Sequence, residues 1–207
     1  MKQGLEASTV AAEPMAMSPI TGKLSVQGVY GGAPGLDVPT LKGISFDIAS
    51  GEAVGIIGPS AAGKSSLAKL LTGYWTPTGG EVRFDGASLK SFAKSTIGQQ
   101  IGYLPQSVRL FSGSIRENIS RFELDADPQR ILEATQLAGC HEMIVNIDGG
   151  YDAIVGVGGA HLSGGQKQRI GLARALYGNP RFIVLDEPNS NLDGHGDQAL
   201  QNAVLEA

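Results

Sequence analysis

The chain has 207 residues, which suits one domain of ordinary size with a small insertion, and its 42% of hydrophobic residues can form a packed core. Its formal net charge of −4 gives no bulk indication of nucleic-acid binding. Cys140 is the single cysteine, so an internal disulfide is excluded, as is typical of a reducing compartment. No apolar run reaches the roughly 18–20 residues that cross a bilayer, and the N-terminus lacks the apolar segment of a signal peptide, so the sequence predicts a chain that is soluble by itself.

The first half of the chain predicts strands followed by a helix. Residues 1–22 are rich in Ala, Ser, Pro and Met without a sustained period and are interpreted as a linker or tail. Alternating apolar residues predict strands in KLSVQGVY, residues 23–30, and LKGISFDI, residues 41–48. The continuous run AVGII, residues 53–57, is typical of a strand buried on both faces of a parallel sheet. KSSLAKLLTG, residues 64–73, predicts a helix that stops at its final glycine.

The second half alternates strands and helices. It predicts short strands at 79–86 and 100–107, helical structure at about 114–146, a glycine-rich loop at 149–166, a helix at 166–178 and a buried strand at 181–188. This order predicts an α/β fold with a mainly parallel sheet. We expect an antiparallel β part on its N-terminal side and a helical insertion at about residues 107–165.

GPSAAGKSS, residues 58–66, fits the P-loop pattern between a predicted strand and a predicted helix. Its glycines let backbone N–H groups point at phosphate oxygens, and the helix N-terminus adds free donors. In this pattern Lys64 reaches the β- and γ-phosphates and Ser65 places its hydroxyl on Mg²⁺. The flanking elements disfavour the alternative, a glycine-rich turn with an incidental lysine, so a P-loop NTPase core is predicted. The candidate nucleotide-binding residues here are Gly58, Pro59, Ser60, Ala61, Ala62, Gly63, Lys64, Ser65 and Ser66.

Two adjacent acidic residues, Asp186 and Glu187, follow the predicted buried strand. Parallel α/β sheets bind ligands at the carboxyl ends of their strands, so this pair is expected beside the P-loop. Asp186 suits the ordering of Mg²⁺, usually through water, and Glu187 suits a base that orients or deprotonates an attacking water. The alternative is an acidic strand end followed by Pro188, and the P-loop upstream disfavours it.

LSGGQ, residues 162–166, stands directly before a predicted helix. Ser163 is a good N-cap residue, and the two glycines open the backbone. Simple capping requires neither the second glycine nor the glutamine. The motif therefore predicts a second helix N-terminus that faces an anion.

The P-loop, LSGGQ and LDEP, in this order, resemble the nucleotide-binding domain of an ABC transporter, and the resemblance extends over residues 23–207. It implies ATP and Mg²⁺ as ligands and a head-to-tail dimer in which each ATP lies between the P-loop of one copy and the signature motif of the other. Through that motif it implies a contact of the partner's γ-phosphate with Ser163, Gly164 and Gly165, with Gln166 in the same site.

The resemblance also implies roles for single residues. Gln106 in YLPQ is similar to the Q-loop glutamine, which senses Mg²⁺ and the γ-phosphate and faces the transmembrane part. SNLD, residues 190–193, resembles the D-loop, which communicates across the dimer. Tyr30 is the nearest candidate for the aromatic that stacks on adenine, although Ala33 stands at the expected position. The implied catalytic residues are Glu187, Lys64 and Gln106, and the implied Mg²⁺ residues are Ser65, Gln106 and Asp186.

The sequence departs from the family pattern in the loops. Ala61 replaces the usual glycine and Ser66 the usual threonine of the P-loop, and Asn189 and Asn191 change DEPTSALD to DEPNSNLD. Val157 stands in GVGGAH, the loop that contacts membrane domains in exporters, where a glutamate is frequent.

The family's switch histidine has no counterpart here. His195 is too close to the D-loop, and His141 and His161 precede Glu187, so all three are predicted to be solvated or structural. We therefore expect a C-terminally truncated domain.

Among ABC systems, LDEPNSNLD and the sequence around LSGGQ most resemble the ATPase half of type I secretion exporters of the protease and lipase branch. This implies ATP binding and hydrolysis that power protein export at the cytoplasmic face of the bacterial inner membrane. The implied partners are a transmembrane domain of the same transporter, a periplasmic adaptor and an outer-membrane channel, with no nucleic acid.

Three alternatives stay open. The first alternative is the ATPase domain of an exporter of lipids, drugs or peptides. The second is a fragment that binds ATP with little hydrolysis. The third is a soluble ABC-type ATPase of DNA repair or translation, but such proteins usually carry two ATPase domains or a long coiled coil.

Overall fold

The structure is a computed structural model that describes residues 20–35, 38–189 and 200. Its strands are β1 (Leu24–Gly31), β2 (Leu41–Ile48), β3 (Gly79–Phe84), β4 (Ala87–Ser88), β5 (Ile101–Leu104), β6 (Gly113–Ser114), β7 (Ile154–Val155) and β8 (Phe182–Leu185). Its α-helices are α1 (Lys64–Leu71), α2 (Lys94–Gln100), α3 (Ile115–Ile119), α4 (Pro128–Leu137), α5 (His141–Val145) and α6 (Gly164–Leu176). None of these helices is long and apolar enough to cross a membrane.

The N-terminal part is an antiparallel sheet with the strand order β2-β1-β3-β4. Alternating residues of β1, Leu24 and Val26, are buried and belong to one core with Leu70 of α1 and Phe84 of β3. This confirms the predicted antiparallel β part.

The chain packs against this sheet before β1 begins. Ile20 and Gly22 are buried, and Thr21 donates its backbone N–H and its hydroxyl to Asp85. Residues 20–22 are therefore part of the packed domain, while residues 1–19 of the predicted linker lie outside the described residues.

A parallel strand pair forms the edge that carries the acidic residues. β5 and β8 pair in register from Ile101–Phe182 to Leu104–Leu185, so their carboxyl ends lie together. The helix α6 packs closely on β5, because a Cβ atom at Gly102 would lie 2.2 Å from the carbonyl oxygen of Ala175. This is the only parallel pairing among the described residues, so this part of the chain does not show the predicted mainly parallel sheet.

The apolar run at residues 53–57 does not form the predicted buried strand, and that prediction is wrong. The run has no regular secondary structure, and Ile57 is 97% exposed. A cavity of about 490 Å³ lies along β8, and its lining includes Val54 and Ile56 of this run and Phe182 and Val184 of β8. An apolar run becomes a strand only by pairing with a sheet edge, and within the described part of the chain β8 pairs with β5 alone. β8 pairs with β5 and is therefore a strand, as predicted. It is only partly buried.

The predicted helical stretch is confirmed as three short helices, of which α3 and α4 pack on α6 and α5 packs on α4. Their common core contains Ile115, Ile119, Ile131, Ile144 and Ile170. The limits of the insertion, about 107 and 165, stay a prediction.

One arginine joins this helical part to the end of α6. Arg121 donates hydrogen bonds to the carbonyl oxygens of Arg174, Ala175, Tyr177 and Gly98 at 2.5–3.4 Å. Burial lowers the pKa of Arg121, and the neighbouring charge of Arg174 lowers it further. The carbonyls at a helix C-terminus otherwise have no partner within the helix, so this side chain satisfies them.

Candidate functional site

The P-loop curls around its own lysine. The Lys64 ammonium donates to the carbonyl oxygens of Gly58 at 2.8 Å and Pro59 at 3.1 Å. Gly63 is the N-cap of α1 with φ +99°, and it provides no side-chain cap. Ala61 also has a positive φ, +64°. The first turn of α1 therefore follows a tightly bent loop and has no side-chain cap of its own.

The first turn of α1 reaches the acidic end of β8. The Ser65 hydroxyl donates to the Asp186 carboxylate at 3.0 Å, and the Asp186 N–H donates to the carbonyl of Leu104 at 2.9 Å. Asp186 is buried, so these contacts join α1, β5 and β8 at one point. A hydroxyl and a carboxylate are the hard oxygen ligands that Mg²⁺ prefers, so the residues present fit this ion.

The predicted Q-loop glutamine and catalytic glutamate lie in direct contact. The Gln106 side-chain amide donates to the Glu187 carboxylate at 2.6 Å, and both side chains are exposed. Glu187 has φ +50°, in the left-handed region that is uncommon for a residue with a side chain. The parallel pairing of β5 with β8 brings these two residues together across a long stretch of sequence.

The signature motif begins α6 with a complete capping box. The Ser163 hydroxyl accepts from the Gln166 N–H at 3.2 Å, and the Gln166 side-chain oxygen accepts from the Ser163 N–H at 2.8 Å. The expectation that capping leaves the glutamine unexplained is therefore wrong, because a glutamine at the third helical position completes this box. Ser163 and Gly164 are exposed, and the cavity beside β8, which Lys64, Asp186 and Glu187 line, does not include residues 163–166.

The remaining candidates lie apart from these contacts. Tyr30 is the penultimate residue of β1 and has an exposed ring beside Gly43 and Gly79, and its role at adenine stays a prediction. His141 contacts the Tyr151 hydroxyl at 2.9 Å through Nδ1, which is a structural contact as predicted, and His161 is exposed. The D-loop residues 190–193, which include Asn191 and Asp193, and His195 lie outside the described residues.

Sequence reasoning missed two residues near Asp186 and Glu187. The Tyr103 hydroxyl is buried without a hydrogen-bond partner, and burial, with a smaller effect of the Asp186 charge, raises the pKa of Tyr103 to about 12. Gln168 is buried and donates its amide to the carbonyl of Pro188 at 3.0 Å. Its position shortly after LSGGQ was the only signal in the sequence.

Comparison with known proteins assigns the family. The profile described as ABC transporter matches residues 41–190. The chain belongs to the ABC transporter family. It is 44% identical over 205 residues to the type I secretion system ATP-binding protein PrsD of Rhizobium meliloti (strain 1021), covering 99% of this chain and 35% of that protein.

Two further relatives agree with this family. The leukotoxin translocation ATP-binding protein LktB of Pasteurella haemolytica-like sp. (strain 5943B) is 44% identical over 158 residues, 76% of this chain and 22% of that protein. A bacterial Atm1-family ABC exporter with ATP bound matches with a TM-score of 0.84 and 31% identity, over 96% of this chain and 35% of that one. The chain thus spans about a third or less of the length of these three relatives.

Proposed function

We propose that this chain is the ATP-binding and ATP-hydrolysing domain of an exporter, and that the exporter secretes proteins by the type I route. The observation that carries the proposal is the meeting of three elements at one edge, where Ser65 contacts Asp186 and Gln106 contacts Glu187. The similarity to PrsD and LktB supports type I secretion.

In this proposal the P-loop, residues 58–66, holds the phosphates of ATP. The Lys64 ammonium leaves the carbonyls of Gly58 and Pro59 and bonds phosphate oxygens, and the uncapped first turn of α1 donates backbone N–H groups. Tyr30 is proposed to stack on the adenine. The gain for Lys64 is large because a charge-assisted bond to phosphate replaces bonds to neutral carbonyls.

Ser65, Asp186 and Gln106 are proposed to hold Mg²⁺ with the nucleotide. The bound ion neutralises the charge that develops on the phosphate oxygens. The Ser65 hydroxyl and the Asp186 carboxylate are already in contact, so the protein supplies this pair of oxygen ligands from two different elements.

Glu187 is proposed as the base of the reaction. A water oxygen attacks the γ-phosphorus, and the bond between that phosphorus and the leaving ADP oxygen breaks. One proton of the water passes to the Glu187 carboxylate, and the products are ADP and inorganic phosphate. The Gln106 amide donates to that carboxylate and orients it. Because the γ-phosphate and the water have to lie in line, orientation of the carboxylate matters as much as its basicity.

A second copy of the chain is proposed to complete each site. Residues 163–166 do not line the cavity that contains Lys64 and Glu187, while Ser163 and Gly164 are exposed. In a head-to-tail dimer, Ser163, Gly164 and Gly165 of one copy contact the γ-phosphate held by the P-loop of the other. A transmembrane domain, a periplasmic adaptor and an outer-membrane channel are the further proposed partners, and the proposed location is the cytoplasmic face of the bacterial inner membrane.

A second candidate is the ATPase domain of another exporter class, which the TM-score of 0.84 with an Atm1-family exporter supports. The site chemistry would be the same, because ATP and not the cargo contacts these residues. Export of a protease or lipase by cells that carry the transporter tests the cargo separately.

Binding of fluorescently labelled ATP to the chain tests the site itself. Lys64→Ala removes a charge-assisted bond to phosphate and is expected to raise the Kd about 10- to 100-fold. The matched control is Lys69→Ala, five residues further along α1, whose ammonium lies 4.5 Å from the centre of the Trp75 ring. A raised Kd for Lys64→Ala together with a parent-like Kd for Lys69→Ala supports the proposal. An unchanged Kd for Lys64→Ala would overturn the P-loop assignment.

A further inference from the structure

The turn after β8 holds a residue in a strained backbone conformation. Glu187, with φ +50°, is not glycine, and such residues persist in the left-handed region only where surrounding contacts hold them. The contacts around Glu187 therefore decide where its carboxylate lies.

Three elements supply those contacts. Before Glu187, the Asp186 N–H donates to Leu104 of β5, and at its side chain the Gln106 amide donates to the carboxylate. After Glu187, the carbonyl oxygen of Pro188 accepts from the side-chain amide of Gln168 at 3.0 Å. The first two contacts come from β5 and the loop after it, and the third comes from α6.

The Gln168 side chain is unusual for its position. It is 1% exposed, and a primary amide in the core is costly to bury unless it is hydrogen-bonded. It lies five residues after Ser163, in the second turn of α6, whose first turn is fixed by the capping box. A helix is rigid over this distance, so a shift at Ser163 is carried to the Gln168 amide.

We propose that Gln168 is a positioning residue that holds the Glu187 turn against α6 and thereby couples the catalytic carboxylate to the helix that begins at Ser163. The inference rests on the proposed function, in which Glu187 is the base and Ser163 contacts the nucleotide of a second copy. Engagement of Ser163 at one composite site then stabilises the alignment of Glu187 at the other.

The test compares Gln168→Met with Thr135→Val. The first variant keeps a similar shape and removes the amide donor. The second removes a buried hydroxyl of α4 that contacts Leu132 and Tyr151, so it controls for a general loss of core stability. Hydrogen–deuterium exchange of the peptide that contains residues 185–189 is measured in each, with a peptide from β1, whose residues Leu24 and Val26 lie in the other core, as the internal reference.

The expected result is exchange several times faster at residues 185–189 in Gln168→Met, with the β1 peptide unchanged. Exchange at 185–189 that matches the parent, or that rises equally in Thr135→Val, would overturn the inference. This readout needs no turnover.

Steady-state ATP hydrolysis separates positioning from binding. A misaligned base lowers kcat, so Gln168→Met is expected to lose roughly 10- to 100-fold in kcat while KM changes little. If the parent chain shows no hydrolysis, the proposed function fails and the exchange result still decides the contact. If the parent hydrolyses ATP and the variant keeps the parent kcat, the inference fails alone.

Discussion

The two helices that carry the phosphate motifs begin in opposite ways. The N-cap of α1 is Gly63, which has no side chain that could accept a hydrogen bond. The N-cap of α6 is Ser163, whose capping box with Gln166 satisfies two backbone N–H groups. The first turn of α1 has no side-chain cap, which fits the proposed binding of ATP phosphates by the P-loop of the same chain. The first turn of α6 is stabilised by its own capping box and is exposed, which fits the proposed contact with ATP held by a second copy.

The far end of α6 is stabilised as well. Arg121 caps its last carbonyls, and the Tyr177 hydroxyl donates to Glu123 at 2.6 Å. Thus α6 is a rigid, locally satisfied element, whereas the segment that leads into α1, residues 51–62, is exposed and irregular. The two regions differ both in burial and in hydrogen bonding, because α6 buries seven residues and has hydrogen-bond partners at both ends, whereas residues 51–62 are exposed.

The largest expected effect on stability is at the far end of α6. Arg121→Ala leaves the carbonyls of Arg174 and Ala175 without their charged donor and is expected to lower the free energy of unfolding by roughly 2–4 kcal/mol. Urea unfolding measures it. The control Arg130→Ala removes an exposed pairing with Asp127 at 3.9 Å, and equal losses in both variants would contradict the capping role.

The next effect is at the start of α1. Gly63→Ala places a Cβ atom 2.9 Å from a Leu41 methyl group at a φ of +99°, so we expect a loss of about 1–3 kcal/mol together with weaker ATP binding. Gly55→Ala is the control, because its Cβ meets nothing within 4 Å. Thermal unfolding and titration with labelled ATP compare the two variants. Unchanged ATP binding in Gly63→Ala would contradict the proposed role of the first turn of α1 in phosphate binding.

The smallest effect on stability is at the start of α6. Ser163→Ala and Ser114→Ala each remove the serine of a capping box and are expected to cost about 1 kcal/mol. Only Ser163→Ala should also lower ATP hydrolysis, because only Ser163 is proposed to contact nucleotide. Equal hydrolysis in the two variants would reduce the role of Ser163 to capping.

The sequence was sufficient where the signal is local. The strands β1 and β2, the helix α1 and the helical stretch packed on α6 were predicted from periodicity and stop residues, and the Ser163 cap was predicted from its residue type. The meeting of Ser65 with Asp186 was predicted because motifs at the carboxyl ends of parallel strands lie together, whereas Gln106 was placed beside Glu187 only by the resemblance to ABC transporters.

The sequence was insufficient where the outcome depends on long-range pairing. The run at 53–57 has the composition of a buried strand, but strand formation also requires a free sheet edge in register, which composition does not encode. Gln168 and Tyr103 likewise gave no local signal, since their importance lies in what buries them. The fit of Gln166 to a capping box was visible in the spacing from Ser163 and was overlooked.

The most direct test of the account is ATP hydrolysis per chain, with Mg²⁺, measured against protein concentration for the parent and for Glu187→Gln. The account predicts a specific rate that rises with concentration, because two copies complete each site, and a fall of at least about 100-fold in Glu187→Gln with ATP binding retained. A rate that is independent of concentration, or near-parent turnover in Glu187→Gln, would contradict it.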